Sequence, residues 1–200
     1  MSTGYYDAKP TKKRNLNRFA DLAKLGEVLF HVDDLANLWQ IRNMNTLYTT
    51  LKRYTKQGLL YRIHKGFYSI KPPESVDPLL LGLKALHSFA YVSCETILAE
   101  EGVLQQLVPA ITLVSGSNKK FTAAGRAYHS RQLADRFLYQ PQGITTLESG
   151  VRRASRERAV ADLLYFNPHA YFDGEKLIDW REVRALQESI GYPLTPQRYG

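Results

Sequence analysis

IRNMNTLYTTLKRYTKQG, residues 41–58, decides how the first third of this chain is read. On a wheel at about 100° per residue, Met44, Leu47, Tyr48, Leu51 and Tyr54 share one arc. Arg42, Asn45, Thr46, Thr49, Thr50, Lys52, Arg53, Lys56 and Gln57 share the other. The two sets do not mix, which predicts an amphipathic helix ended by Gly58. The polar arc carries four cations and no acid. A face that had only to stay hydrated would mix Glu with Lys and avoid self-repulsion. This composition suits a DNA groove, with cations for phosphates and amides and hydroxyls for base edges.

The flanks extend that reading. Downstream, LLYRIHKGFYSIKPP (59–73) reads as a β-hairpin with strands over Leu59–Ile63 and Phe67–Ile70. Its turn is His64-Lys65-Gly66, where Gly66 can take a positive φ. Upstream, Leu16, Phe19, Leu22, Ala23 and Leu25 give Asn15–Leu29 a helical spacing. Val32 reads as a short extended link. Asp33 or Asp34 then caps a second helix whose core face is Leu35, Leu38 and Trp39. The order helix, strand, helix, turn, helix, hairpin predicts a winged helix-turn-helix over 15–71.

In that fold the third helix enters the major groove. Arg42, Asn45, Thr46, Thr49 and Arg53 are expected to read or flank base edges, with Thr50 on the same arc. Lys52, Lys56, Arg62 and Lys65 are expected to hold phosphates. The hairpin tip, with Arg62, His64 and Lys65, is placed against a neighbouring phosphate or the minor groove. Residues 1–14, with Lys9, Lys12, Lys13 and Arg14, read as a flexible basic arm. The expected partner is double-stranded DNA, an inverted repeat in the chain's own promoter bound by two copies. The competing reading is a winged helix used only for protein contact.

Charge supports the division. The net charge is +8, and residues 1–73 hold 13 Lys/Arg against 5 Asp/Glu. Residues 74–200 hold 14 of each, so the whole excess precedes Pro72-Pro73. Such an asymmetry points one half at a polyanion. No apolar run approaches the ~18–20 residues of a membrane span, and the polar, basic start is not a secretory signal. The single cysteine, Cys94, forms no internal disulfide. The expected setting is cytoplasmic, without a membrane partner.

PPESVDP (72–78) reads as a linker, and 79–200 as a second domain. Helices are expected at Leu79–His87, after Ser93 as cap, at Ser155–Phe166 and at Trp180–Ser189. Strands are expected at Phe89–Val92 and Ala110–Val114, and in a hairpin around Ala124-Gly125. Phe137–Tyr139 and Gly143–Thr146 are further strand candidates. The fold class is therefore α+β: a winged helix-turn-helix followed by a mixed α/β domain with a mostly antiparallel sheet.

YVSCETILAEEGVLQQLVPAITLVSG, GRAYHSRQL and GVRRASRERAVADLL together resemble the AbiEi antitoxins of bacterial type IV toxin–antitoxin systems. The matching features are Tyr91, Val92 and Ser93 before a helix, Gly102 in the next turn, and Glu157-Arg158-Ala159 with Asp162. The resemblance covers roughly residues 15–165. It implies a non-enzymatic autorepressor of abortive-infection phage defence. Its second domain would counter a nucleotidyltransferase toxin without a stable complex. The alternative is a winged-helix regulator whose second domain senses a ligand or protein.

Catalytic signals are weak. His31, His64, His87, His129 and His169 are scattered, with no metal-ligand pair at helical spacing. No phosphate loop or nucleophile elbow appears. Asp173, Glu175 and Lys176 resemble a nuclease carboxylate set but lack the residue that belongs between acid and lysine. Asp173-Gly174 reads as a turn. Arg152, Arg153, Arg156 and Arg158 form the second half's basic cluster, either a further DNA or RNA surface, or a group that is solvated or pairs with acids of the neighbouring domain. Arg158 and Asp162, four apart, read as a structural ion pair. No cofactor and no enzymatic activity are expected.

Overall fold

The computed structural model describes residues 18–22 and 24–195. The arm expected over 1–14 lies outside them. The chain divides into two compact units, Met1–Ser75 and Val76–Gly200.

In the first unit, residues 18–22 and 24 are helical (α1). The helix expected to reach Leu29 stops earlier, because Gly26 takes φ +69° and Leu29–His31 form strand β1. Val32, expected as an extended link, is instead the first residue of α2 (Val32–Leu38). His31 stands at the cap position, and its N–H donates to Asp34 Oδ2 at 3.0 Å. Helix α3 spans Met44–Lys56. Asn43 caps it, its Oδ1 accepting from the N–H of Asn45 at 3.0 Å and of Thr46 at 3.3 Å. Gly58 follows the helix end at φ +71°, the left-handed turn that ends many helices.

Strands β2 (Tyr61–His64) and β3 (Phe67–Ser69) form the hairpin, and β1 joins it in an antiparallel sheet ordered β1-β3-β2. A bulge shifts the register between Arg62 and His64. Gly66 closes the turn at φ +80°, and its carbonyl accepts the Val32 N–H at 2.8 Å, tying the hairpin to the start of α2. The core joins Leu22, Phe30, Leu35, Leu47, Leu51 and Leu60 around Trp39 and Tyr54. Those two rings meet edge to face at 5.7 Å, and the Trp39 indole N–H donates to the Arg18 carbonyl at 3.2 Å.

The second unit is also α+β. Its elements are α4 (Pro78–Ala85), β4 (Ala90–Val92), α5 (Glu95–Glu100), β5 (Ile111–Ser115), β6 (Lys119–Ala123) and β7 (Arg126–Gln132). Then follow α6 (Asp135–Leu138), β8 (Ile144–Thr146), β9 (Arg152–Ala154), α7 (Arg156–Phe166) and α8 (Trp180–Ile190). The sheet order is β6-β7-β5-β4-β9-β8. The pairs β4–β5, β6–β7 and β8–β9 are antiparallel, while β5–β7 and β4–β9 are parallel. Gly82 lets the Tyr128 ring lie directly on α4, since a Cβ there would sit 2.3 Å from it. The Tyr128 hydroxyl donates to the Pro78 carbonyl at 2.9 Å.

Two expectations for this unit are corrected, and one strand is added. Phe137–Tyr139, expected as a strand, lies mostly in the short helix α6, with Phe137 and Leu138 buried. An apolar run this short carries no period that separates the two states. Strand β9 was not anticipated, because its Arg152-Arg153 start reads as polar surface; it pairs with β8 through Ile144 opposite Ala154. Ser93, expected as a helix cap, does not cap α5. Cys94 holds that position, at φ +52° and fully buried, and burial beside Asp162 pushes its thiol pKa well up.

Ser93 instead turns its hydroxyl to Asp162 Oδ2 at 2.7 Å. Asp162 Oδ1 accepts from Arg158 Nε at 2.9 Å and from the Tyr192 hydroxyl at 2.7 Å. Arg158 also donates to the Tyr91 hydroxyl at 2.8 Å and to the carbonyls of Gln140 at 3.2 Å and Gln142 at 2.8 Å. Arg158 and Asp162 are both 0% exposed. Burial opposes the Arg158 charge, but Asp162 together with Tyr91 and Tyr192 outweighs it and holds the guanidinium protonated. Burial, reinforced by Asp162, raises the phenols of Tyr91 and Tyr192. The network pins β4, α7, the segment before β8 and the chain after α8 to one point. The expected structural ion pair is present at its centre.

Candidate nucleic-acid interface

Helix α3 presents most of the expected site residues to solvent. Arg42 just before it, and Asn45, Thr46, Thr49, Lys52 and Lys56 on it, are exposed. Arg53 is half-buried, with its guanidinium 5.8 Å from the Tyr54 ring centre. Thr49 donates its hydroxyl to the Asn45 carbonyl at 2.8 Å. On the hairpin, Arg62, His64 and Lys65 are exposed. The His64 ring packs 5.1 Å from Phe67, and Arg62 Nε donates to the His64 carbonyl at 3.4 Å.

Two residues change sides. Thr50, expected on the polar face, is 5% exposed and donates its hydroxyl to the Thr46 carbonyl at 2.9 Å. Tyr48, expected in the core, is 41% exposed. Both lie at the borders of their arcs on the wheel. At a border, the neighbouring elements decide which residue is covered, and periodicity is silent about those neighbours.

Between α3 and the hairpin lies a groove of about 780 Å³. Tyr48, Lys52 and Lys56 line it from the helix, and Arg62, Lys65 and Tyr68 from the hairpin. Among the described residues none that lines it is acidic. Lys52, Lys56 and Lys65 make no ion pair with a described residue, so no described acid neutralises them. Burial raises the Tyr68 phenol, Arg62 works against that rise, and Tyr48 adds to it. The two phenols and the guanidinium are therefore within electrostatic reach of one another. All four of these cations stand out in the sequence, and the two tyrosines do not. The one available signal was the place of Tyr48 beside Lys52 on the wheel.

The other basic cluster does not form an open surface. Arg158 is buried, and Arg156 Nε donates to Glu157 at 2.8 Å. Arg153 pairs with Glu100 at 3.0 Å and Glu101 at 3.7 Å, and Arg152 lies 4.4 Å over the Phe89 ring. Asp173 is likewise occupied, accepting the Gln105 N–H at 2.9 Å. Gly174 beside it packs so closely on the Gly102 carbonyl that a Cβ would sit 2.5 Å away. This is a loop tie, which gives Asp173 a structural account. Among the described residues no cluster of His, Cys, Asp and Glu could hold a metal, and no helix is long and apolar enough to cross a membrane.

No family model matches the chain, and no curated protein matches it. Among solved structures, the crystal structure of the RV2827C protein from Mycobacterium tuberculosis is similar, with a TM-score of 0.50 and 14% identity. The match covers 90% of this chain and 78% of that one, and at this identity the likeness is one of fold.

Proposed function

We propose that the first unit is a winged helix-turn-helix that binds double-stranded DNA, with α3 in the major groove and the hairpin as wing. The observation that carries this reading is the groove with its exposed flank: Lys52, Lys56, Arg62 and Lys65 face solvent beside Asn45, Thr46 and Thr49, with no acid among the described lining residues. The cations supply phosphate contacts, and the amide and hydroxyls supply base contacts. Thr50 leaves the set, because it is buried. The operator in this reading is an inverted repeat in the chain's own promoter.

The second unit carries the antitoxin part of the proposal, by its likeness to the AbiEi sequences. Tyr91, Ser93, Arg158 and Asp162, which carry that likeness, sit together in one buried network. They support a shared scaffold rather than a shared surface. A winged-helix regulator whose second unit senses a ligand or protein is separated from the antitoxin by genetics. Antitoxin function requires that deleting the chain makes a neighbouring nucleotidyltransferase gene toxic.

Titration of the full chain onto its own promoter DNA at two salt concentrations tests the DNA reading. Tight binding that survives competition by unrelated duplex is the expected result. Weak binding that ignores sequence leaves only a basic surface.

A further inference from the structure

We propose that the groove between α3 and the hairpin binds a soluble nucleoside polyphosphate, in competition with DNA. The competition rests on the DNA reading; the occupancy of the groove does not.

Three observations converge. The groove, at about 780 Å³, falls within the roughly 300–1,000 Å³ typical of small-molecule sites. Its rim gathers Lys52, Lys56, Arg62 and Lys65 without an acid among the described lining residues. Like charges that share one rim repel one another, and a compact polyanion relieves that repulsion more fully than scattered salt ions. Two tyrosines also line it: Tyr48, 41% exposed, forms an aromatic wall, and the Tyr68 phenol lies within reach of Arg62.

The aromatic wall separates a free nucleotide from a duplex. A duplex backbone can engage the cations, but its bases are stacked inside and offer Tyr48 no ring face. A free nucleotide satisfies both sets of groups at once, phosphates on the cations and base against the Tyr48 ring. Sharing Lys52, Lys56, Arg62 and Lys65 between the two ligands makes their binding mutually exclusive.

Calorimetric titration of the full chain with ATP, tripolyphosphate and adenosine tests the proposal. ATP is expected to bind one per chain and about tenfold or more tighter than tripolyphosphate, the base accounting for the difference. Tyr48→Ala should bring ATP down to the tripolyphosphate affinity, and Tyr48→Phe should keep the wild-type value. Arg62→Ala should weaken both anions. Equal affinity for ATP and tripolyphosphate, or an ATP affinity untouched by Tyr48→Ala, overturns the proposal. Promoter binding without nucleotide examines the DNA reading by itself. Where the promoter binds, its apparent Kd should rise in proportion to added ATP, and indifference to saturating ATP sinks the competition. Tyr48-dependent ATP binding in a chain that ignores its promoter sustains the site and removes the DNA reading.

Discussion

Two clusters in this chain use the same side chains to opposite ends. In the second unit, Arg158 lies with Tyr91 and Tyr192 around Asp162, and every one of them has a partner within the chain. In the first unit, Arg62 lies with Tyr48 and Tyr68 among lysines, and no described residue lining that groove is acidic. A charge taken out of water must bring its counter-charge along, because the desolvation penalty is several kcal/mol per ion by rough estimate. A charge at the surface is under no such demand. The buried arginine is therefore a statement about the fold, and the exposed one a statement about what the chain meets.

The comparison is broken most directly at Asp162. Asp162→Ala leaves the Arg158 charge buried without its counter-ion and should cost ~3–5 kcal/mol in urea unfolding. The double change Arg158→Met with Asp162→Leu should lose far less than the single one. A double variant as damaged as the single would show that the cost is not an unpaired charge. Tyr192→Phe removes one hydrogen bond to the same carboxylate and should cost about 1.5–3 kcal/mol by the same measurement.

On the other side of the comparison, stability should hardly move while binding does. Arg53→Ala should weaken operator binding by ~1–3 kcal/mol in an equilibrium titration, if Arg53 pairs with a guanine. An unchanged operator affinity removes Arg53 from base readout. Lys65→Ala should lower the slope of log affinity against log salt by about one for every duplex tested. Its unfolding free energy should stay within about 0.5 kcal/mol of wild type. A loss confined to one sequence would place Lys65 at a base edge instead.

The smallest effect is on pH. Burial, together with Arg131 and Lys120, lowers the His129 pKa, while Glu95 works the other way. The unfolded chain then takes up the proton first, so stability should fall as pH drops through about 6.5 and level off below the folded value. His129→Gln should flatten that part of the curve, and an unaltered curve would assign the slope to other groups.

The legible parts of the fold were local ones. Helix α3 announced itself by period, Gly58 by its place at the end, and the hairpin by Gly66 between two β-rich runs. What escaped the sequence depended on distant partners. Strand β9 begins with two arginines and becomes a strand because β4 and β8 flank it. Tyr192 lies 30 residues from the Asp162 it holds, and nothing near it in sequence marks it. The candidate site divides the same way. Its cations stand out by composition, whereas the exposure of Tyr48 and the burial of Thr50 are set by what packs against α3.

Cys94 gives this protein a built-in clock. It is the single cysteine of the chain, it is fully buried in the second unit, and its thiol is held protonated. A thiol reagent reaches it only when that unit opens. The rate of its labelling in native buffer therefore counts openings of one half of the molecule without any introduced probe. Anything that grips the second unit should slow that count.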